Sequence, residues 1–230
     1  DYHSPLGGPL HECVSLVAKR YSGSRFSFNS LPNEALEPLA SALGAAGVGA
    51  TARTHDATLI IDLPADHSEW FGSLPKKRRH EIRRKRRRFV DALGEPLLER
   101  RTDREAFEAF IAMHRSSHTD KGRFMTEGME RFFWALITEA GAIIDLLTVA
   151  GSPVAAAFGF VDNEAHYLYN SAYAEDASDA SPGIMLLALM IERSIDDGLL
   201  RFDFLKGDEQ YKYRLGAIDR PLSVIDGRFP

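Results

Sequence analysis

Acidic, aromatic and basic side chains are concentrated in the segment RFDFLKGDEQYKYR, residues 201–214. Strand alternation turns Asp203 away from Phe202 and Phe204, and a carboxyl group on a buried strand of this kind has a raised pKa that suits a general base. Two structural alternatives stay open, because Asp203 could also cap a neighbouring helix or pair with Arg201. The segment predicts either proton-transfer chemistry or a structural carboxylate.

More polar groups follow this strand. Asp208 and Glu209 stand at the expected start of the next helix, where carboxylates are favoured simply because they cap free N–H groups. They could also remove a proton or hold a positively charged amine. Tyr211 and Lys212 lie one turn further on. We take Lys206, Asp208 and Lys212 as candidates for substrate binding.

The strand pattern AHYLYNSAY places Tyr167, Tyr169, Ser171 and Tyr173 on one face, since side chains on a strand alternate. Hydroxyl groups in a core each need a partner, so three tyrosines and a serine are unusual there. This face is either part of a polar substrate cleft, with Tyr169, Ser171 and Tyr173 as candidate contacts, or a half-exposed side of the sheet.

The stretch SPGIML, residues 181–186, begins an apolar helix. A helix start offers free N–H groups and the positive end of the dipole to an anion such as phosphate. Ser181 could cap the helix or donate a hydrogen bond, and Gly183 leaves room for close approach. Ser-Pro-Gly is also simply a favourable helix start. Asp176 and Asp179 would repel an anion, so cations from elsewhere would have to offset them.

A basic stretch, KKRRHEIRRKRRRF at residues 76–89, carries ten Lys or Arg and Glu81, a charge of +9 in a chain of −5 overall. The rest therefore carries −14, which favours a local anion site over a general nucleic-acid-binding face. On a helix, Arg78 and Lys85 share the face of Ile82, so we expect them to contact acidic groups or a bound phosphate. The cations predicted to face solvent are Arg83, Arg84, Arg87 and Arg88.

The amino-acid composition limits the class of protein to which the chain can belong. Apolar residues make up 44% and charged residues 27% of the chain, as in soluble globular proteins, and no apolar run reaches the roughly 18 residues of a membrane span. The single Cys13 excludes an internal disulfide, is expected to pack on a helix, and fits a reducing, cytoplasmic location. His114 and His118 lack a third ligand at matching spacing, so we expect no metal. The chain opens on Asp1, which is typical of a piece of a longer chain.

The pattern of elements divides the chain into three parts. Residues 1–65 predict helix, strand, helix, strand, strand, with a turn at His55–Asp56 between the last two strands. Residues 66–94 predict a basic helical connector. Residues 95–230 predict the order β-α-α-β-β-β-α-β-α-β, in which three strands form a meander before the helix that begins at Pro182.

That order resembles the GNAT N-acyltransferases. The motifs S-P-G-x-x-L, D-F-L-x-G-D-E-x-Y-K and, upstream, R-x-x-I-R-R-K-x-R-R are similar to the subgroup of cellulose-biosynthesis-like acetyltransferases. This subgroup is related to Fem-type aminoacyl transferases, which hold two GNAT-like halves joined by helices. The resemblance covers residues 66–217 well, whereas residues 1–65 fit only the later part of a first half.

The resemblance implies an α/β (α+β) GNAT fold with a mixed, largely antiparallel central sheet flanked by helices. Residues 1–65 would then be a partial N-terminal GNAT-like half, residues 66–94 a connector helix, and residues 95–230 the catalytic half.

The implied activity is transfer of an acyl group, expected to be acetyl, from acyl-CoA to an amine on a small molecule such as an amino sugar, an amino acid or an envelope precursor. The implied donor site is Ser181, Pro182, Gly183 and Ile184, although the usual loop Q/R-x-x-G-x-G/A is replaced by DASDASPG. Asp203 and Glu209 remain the candidate catalytic bases, and the resemblance implies Tyr211 as the group that protonates the leaving thiolate, although Tyr211 could instead cover the core. Two alternatives are a Fem-like enzyme that uses aminoacyl-tRNA and a catalytically silent binding module.

Overall fold

The structure is a computed structural model that describes residues 2–5, 8–117 and 123–230. Its helices are α1 (Leu10–Arg20), α2 (Asn33–Ala45), α3 (His67–Ser73), α4 (Lys76–Leu93), α5 (Arg104–Ser116), α6 (Glu127–Ala140), α7 (Pro182–Asp196) and α8 (Gln210–Arg214). Its strands are β1 (Arg25–Pro32), β2 (Ala50–Asp62), β3 (Pro96–Arg101), β4 (Ile143–Val149), β5 (Ser152–Val161), β6 (Ala165–Tyr173), β7 (Arg201–Lys206) and β8 (Ile218–Arg228). In these ranges no helix combines the length and the apolar character needed to cross a membrane.

The chain folds into two compact units. The first unit comprises Asp1–Leu59, Lys206–Asp208 and Ile218–Pro230, and the second comprises Ile60–Leu205 and Glu209–Ala217. The three-part division at residues 65 and 94 stays a prediction.

The first unit is built on antiparallel pairing of β1 with β8, in which Arg25 lies opposite Arg228. α1 and α2 pack on one another, and the core includes Leu31, Leu39 and Ile225. Cys13 is exposed, so the prediction that it packs was wrong, because Val14 and Ala18 form the buried stripe of α1.

β2 corrects another prediction. It runs unbroken from Ala50 to Asp62, whereas the sequence pattern predicts two strands and a turn at His55–Asp56. Neither residue of that pair is a glycine, which tight two-residue turns between strands favour, so the extended backbone continues.

The second unit contains a sheet in the order β7-β6-β5-β4-β3. Its neighbours pair antiparallel, except that β6 and β7 are parallel, and helices flank the sheet. This confirms the mixed, largely antiparallel sheet. Asp103 and Thr126 begin α5 and α6 by accepting hydrogen bonds from the N–H groups of Ala106 and Met129, as caps do. The core of this unit includes Phe107, Phe110, Phe133, Ile144 and Phe158.

Candidate functional site

The parallel strands β6 and β7 pair over only three residues each. Ala165 lies opposite Arg201, His166 opposite Phe202, and Tyr167 opposite Asp203. β6 continues to Tyr173 and β7 to Lys206 without further mutual pairing, although all of these residues are described. The two strands therefore separate beyond Tyr167 and Asp203, which leaves a gap lined by backbone groups.

A bulge in β6 changes which tyrosines share a face. Leu168 pairs with Gly159 and Asn170 with Phe158, so Tyr169 is the extra residue. The ring of Tyr169 packs 5.6 Å from that of Phe133 on α6, between centroids. Tyr173, in contrast, lies beside Gly183 at the start of α7. The prediction that Tyr167, Tyr169, Ser171 and Tyr173 share one face was therefore wrong.

α7 begins next to the end of β6. A Cβ atom built on Gly183 would lie 3.6 Å from Cδ1 of Tyr173. In the described part of the chain the Gly183 N–H has no hydrogen-bond acceptor, whereas the N–H groups of Ile184 and Met185 bond to the Ser181 carbonyl. Pro182 has no N–H to satisfy. The helix start therefore presents one free donor to the space beside Tyr173.

Ser181 is in the left-handed region, with φ 59° and ψ 50°, and its side chain makes no cap hydrogen bond. The expectation that Ser181 caps α7 through its hydroxyl is therefore not met in this structure. A left-handed non-glycine residue costs on the order of 1–2 kcal/mol. Such strain is concentrated at functional positions in proteins.

Acidic residues precede this helix start, in a 3₁₀ turn at Glu175–Ala180. The basic helix α4 packs against this turn and against α7. Arg86 of α4 donates two hydrogen bonds to the Glu192 carboxylate of α7, with N–O distances of 2.8 and 2.9 Å. The basic helix α4 therefore contacts both the acidic turn before Gly183 and α7, and Arg86 is ion-paired with Glu192 near the C-terminal end of α7.

Asp203 is fully buried near the end of β7. Its Oδ1 accepts a hydrogen bond from the N–H of Leu205 at 2.8 Å, and Leu205 is left-handed with φ 56°. This i to i+2 contact is an Asx-turn arrangement. Asp203 thus holds the backbone that leads to α8.

Glu209, Lys212 and Tyr211 are brought together by α8. Nζ of the buried Lys212 lies 2.8 Å from Oε2 of Glu209 and donates to the Phe204 carbonyl at 3.2 Å. Burial, with a smaller contribution from the Glu209 carboxylate, raises the pKa of Tyr211 above its usual range. The Tyr211 hydroxyl therefore keeps its proton at neutral pH and can act as a donor.

Lys206 and Asp208 belong to the first unit. Nζ of Lys206 donates to Oγ of Ser30 at 2.7 Å and lies 3.2 Å from Oδ2 of Asp56. The Ala57 N–H and the Lys206 charge lower the pKa of Asp56. Asp208 is exposed.

Arg78 and Lys85 on α4 are half-buried, as the helix phase predicts. Both contact the Glu81 carboxylate, with Arg78 Nη1 at 3.2 Å and Lys85 Nζ at 3.9 Å. Nη1 of Arg214 on α8 approaches the same carboxylate at 3.6 Å. Arg83, Arg84, Arg87 and Arg88 are exposed, which confirms their predicted orientation.

Among the described residues no three His, Cys, Asp or Glu side chains are grouped as a metal ion requires. His114 is buried and its Nε2 lies 3.1 Å from Oδ1 of Asn170, which confirms a core position. His118 lies outside the described residues.

Sequence reasoning missed Arg214 as the partner of Glu81 and Asn170 as the residue beside the bulge. Glu81 is the single acidic residue among ten cations in residues 76–89, which marks it as a centre of ion pairing. Nothing in the sequence identified Arg214 as one of its partners. Asn170 had no comparable signal, since bulges depend on the register of the partner strand.

Comparison with known proteins gives one family match, to the family described as "Acetyltransferase (GNAT) domain", over residues 76–213. No curated protein matches the chain.

Several solved structures share the fold. FemX is 12% identical, with a TM-score of 0.65 over 94% of this chain and 75% of FemX. The C-terminal domain of a protein assigned as a lysylphosphatidylglycerol synthetase, from Agrobacterium fabrum, is 14% identical, with a TM-score of 0.64 over 97% of this chain and 75% of that one. A conserved protein from Bacteroides thetaiotaomicron is 13% identical, with a TM-score of 0.64 over 96% and 76%. At these identities the likeness concerns the fold alone.

Proposed function

Because the chain belongs to the GNAT acetyltransferase family, we propose that it transfers an acyl group, acetyl in the simplest case, from acyl-CoA to an amine. The acceptor is an amino sugar, an amino acid or an envelope or polysaccharide precursor. The motifs S-P-G-x-x-L and D-F-L-x-G-D-E-x-Y-K support the finer assignment to the cellulose-biosynthesis-like subgroup.

The observation that carries this proposal is the separation of β6 from β7 after Tyr167 and Asp203, next to the free Gly183 N–H. Unpaired strand edges offer N–H and C=O groups to an extended amide-containing chain, as the pantetheine arm of CoA is. A helix start beside that edge suits the pyrophosphate. We assign Ser181, Pro182, Gly183 and Ile184 to this donor site, with Tyr173 beside it.

In the reaction the amine nitrogen attacks the thioester carbonyl carbon and loses a proton. Glu209, which is exposed and ion-paired with Lys212, is the proposed base, directly or through water. When the tetrahedral intermediate collapses, the C–S bond breaks and the thiolate takes the proton of Tyr211. Asp203 positions Glu209 and Tyr211 indirectly, because its carboxylate fixes the turn at Leu205 that leads to α8.

A second candidate is transfer from aminoacyl-tRNA, and the exposed face of α4 favours it. Lys76, Arg84, Arg87 and Arg88 are exposed and have no carboxylate within 4 Å in the described chain. Cations of this kind bind RNA phosphates with an affinity that falls steeply with salt.

Calorimetry with acetyl-CoA and with tRNA tests these proposals. We expect acetyl-CoA to bind the wild-type protein and Gly183→Val to weaken that binding at least tenfold, with Gly128→Val on α6 as the matched control. Salt-sensitive tRNA binding without acetyl-CoA binding would favour the second candidate. If neither ligand binds, both enzyme proposals fail and a silent binding module is the better account.

A further inference from the structure

A cavity of about 480 Å³ lies in the second unit between the first half of α4 and the end of α8. Its lining residues are Lys77, Arg78, His80, Glu81, Arg84 and Arg214. The volume falls within the range of small-molecule sites, about 300–1,000 Å³, and exceeds what one phosphate group needs.

The charge of this cavity is unbalanced. Its four Lys and Arg residues face a single carboxylate, Glu81, which gives a formal charge of +3 with His80 neutral. Glu81 is shared between Arg78 and Arg214 inside the cavity and Lys85 beside it. In the described chain Lys77 and Arg84 have no carboxylate within 4 Å. The Glu81 carboxylate is therefore the negative charge that the cations of this cavity share.

The neighbouring Lys85 responds to this field. Burial lowers the pKa of Lys85, and the positive charges of Arg214 and Arg84 lower it further, against the opposing effect of Glu81. Cations held this close repel one another, and a bound anion would relieve that repulsion.

The cavity is fixed to the helix that carries Tyr211, because Arg214 is one turn further along α8. The end of α8 is itself held in place. Nε1 of Trp70 donates to the Leu215 carbonyl at 3.1 Å, and Gly216 is so close to Leu74 that a Cβ atom there would lie 2.9 Å from its Cδ2. A ligand in the cavity would therefore be held at a defined distance from the proposed proton donor.

We propose that this cavity binds a phosphate group of the amine acceptor, so that the acceptor is a small phosphorylated or diphosphate-bearing molecule. The inference rests on the proposed function, which already assigns the donor's phosphates to the start of α7. Arginine side chains suit phosphate because their planar donors can bond two oxygens at once. The cavity opens to solvent, but its volume leaves room beyond one phosphate and is typical of a small-molecule site, which favours a small molecule over the backbone of an RNA.

The test is calorimetric titration of the intact protein with inorganic pyrophosphate in the presence of saturating CoA, so that the donor site is filled. We compare wild type with Lys77→Ala/Arg84→Ala and with the matched control Arg87→Ala/Arg88→Ala, whose cations are exposed on α4 outside the cavity lining. Thermal unfolding checks that all three fold alike. The expected result is at least tenfold weaker pyrophosphate binding in the cavity variant and less than a twofold change in the control.

Equal loss in both variants, or no loss in the cavity variant, would overturn the assignment. A short RNA hairpin that displaces pyrophosphate from wild type but not from the cavity variant would also overturn it, because the phosphate would then come from a polynucleotide. Failure of CoA to bind wild type would count against the donor proposal instead, and the pyrophosphate titration without CoA would still report on the cavity through the two variants.

Discussion

Tyr167 and Asp203 form the last pair that joins β6 to β7, and the two strands diverge immediately after it. The Tyr167 hydroxyl donates to Oδ2 of Asp162 at 3.0 Å, and burial together with this contact raises its pKa to about 12. The Tyr167 hydroxyl thus stays protonated and is held by the turn that precedes β6. The proposed base Glu209 and the proposed proton donor Tyr211 follow this pair in the chain, after the end of β7.

Replacement of Tyr211 by Phe tests the proposed proton donor. We expect kcat to fall by about 10²-fold or more with KM little changed, since general acid catalysis contributes at least that much. The wild-type rate should show no fall near pH 10 from this group, because its raised pKa keeps the hydroxyl protonated there. Steady-state kinetics against pH is the measurement.

Tyr213→Phe is the control for that change, since Tyr213 is an exposed tyrosine on the same helix. If both variants lost activity equally, α8 would matter for its stability rather than for the Tyr211 hydroxyl.

Gly183→Ala should separate donor binding from folding. The added methyl group would be in ordinary contact with Tyr173, so we expect an unchanged melting temperature and a severalfold higher KM for acyl-CoA. Gly159→Ala is the contrasting change, because its Cβ would collide with the Tyr167 carbonyl oxygen. That variant should lose about 1–3 kcal/mol of unfolding free energy. A normal KM in Gly183→Ala would count against a phosphate at this helix start.

Ser181→Gly should stabilise the protein by about 0.5–1 kcal/mol, because glycine adopts the left-handed backbone freely and no side-chain cap is lost. Ser178→Gly, in the preceding turn and without a positive φ, should instead destabilise by a similar amount. Urea unfolding measures the free energy of unfolding of both variants. A loss of stability in Ser181→Gly would contradict the prediction and show that the Ser181 hydroxyl has a hydrogen-bond partner in solution.

The Asp103 carboxyl group makes the stability of the protein depend on pH. Its ion pair with Arg101 lowers its pKa to about 2 from 3.8, so its contribution to stability is present above pH 4 and is lost as the pH falls toward 2. The side chain is about half exposed, so we expect only about 0.5–1 kcal/mol between wild type and Asp103→Asn at pH 7. Unfolding at pH 7 and pH 2.5 should show this difference shrinking, and in an Arg101→Ala background it should be small at both values.

The order of elements in the second unit was predictable because each has a strong local signal. Thr126 and Ser181–Pro182 mark helix starts, Gly141 and Gly198 mark ends, and the turn at residues 150–151 separates two apolar strands. The same local reasoning failed for β2, which continues through His55 and Asp56 as one strand.

The candidate site was predictable by residue type but not by role. The helix phase of Arg78 and Lys85 and their pairs with Glu81 within one helical turn follow from local spacing. The approach of Arg214 to the same carboxylate depends instead on where α8 lies. The bulge at Tyr169 likewise depends on the close approach of β5, which Gly159 permits. Contacts that depend on how distant strands align with one another do not appear as a periodic pattern of residues in a single sequence.

The pairing of β1 with β8 joins residues 25–32 to residues 222–228, and the residues of the second unit lie between them in the chain. During synthesis, β1 therefore waits for its partner strand until residues 60–217 have been made, whereas the second unit is complete at Ala217. The order in which the units can be completed is thus the reverse of the order in which they begin, and a nascent chain must protect the unpaired edge of β1 until its partner emerges.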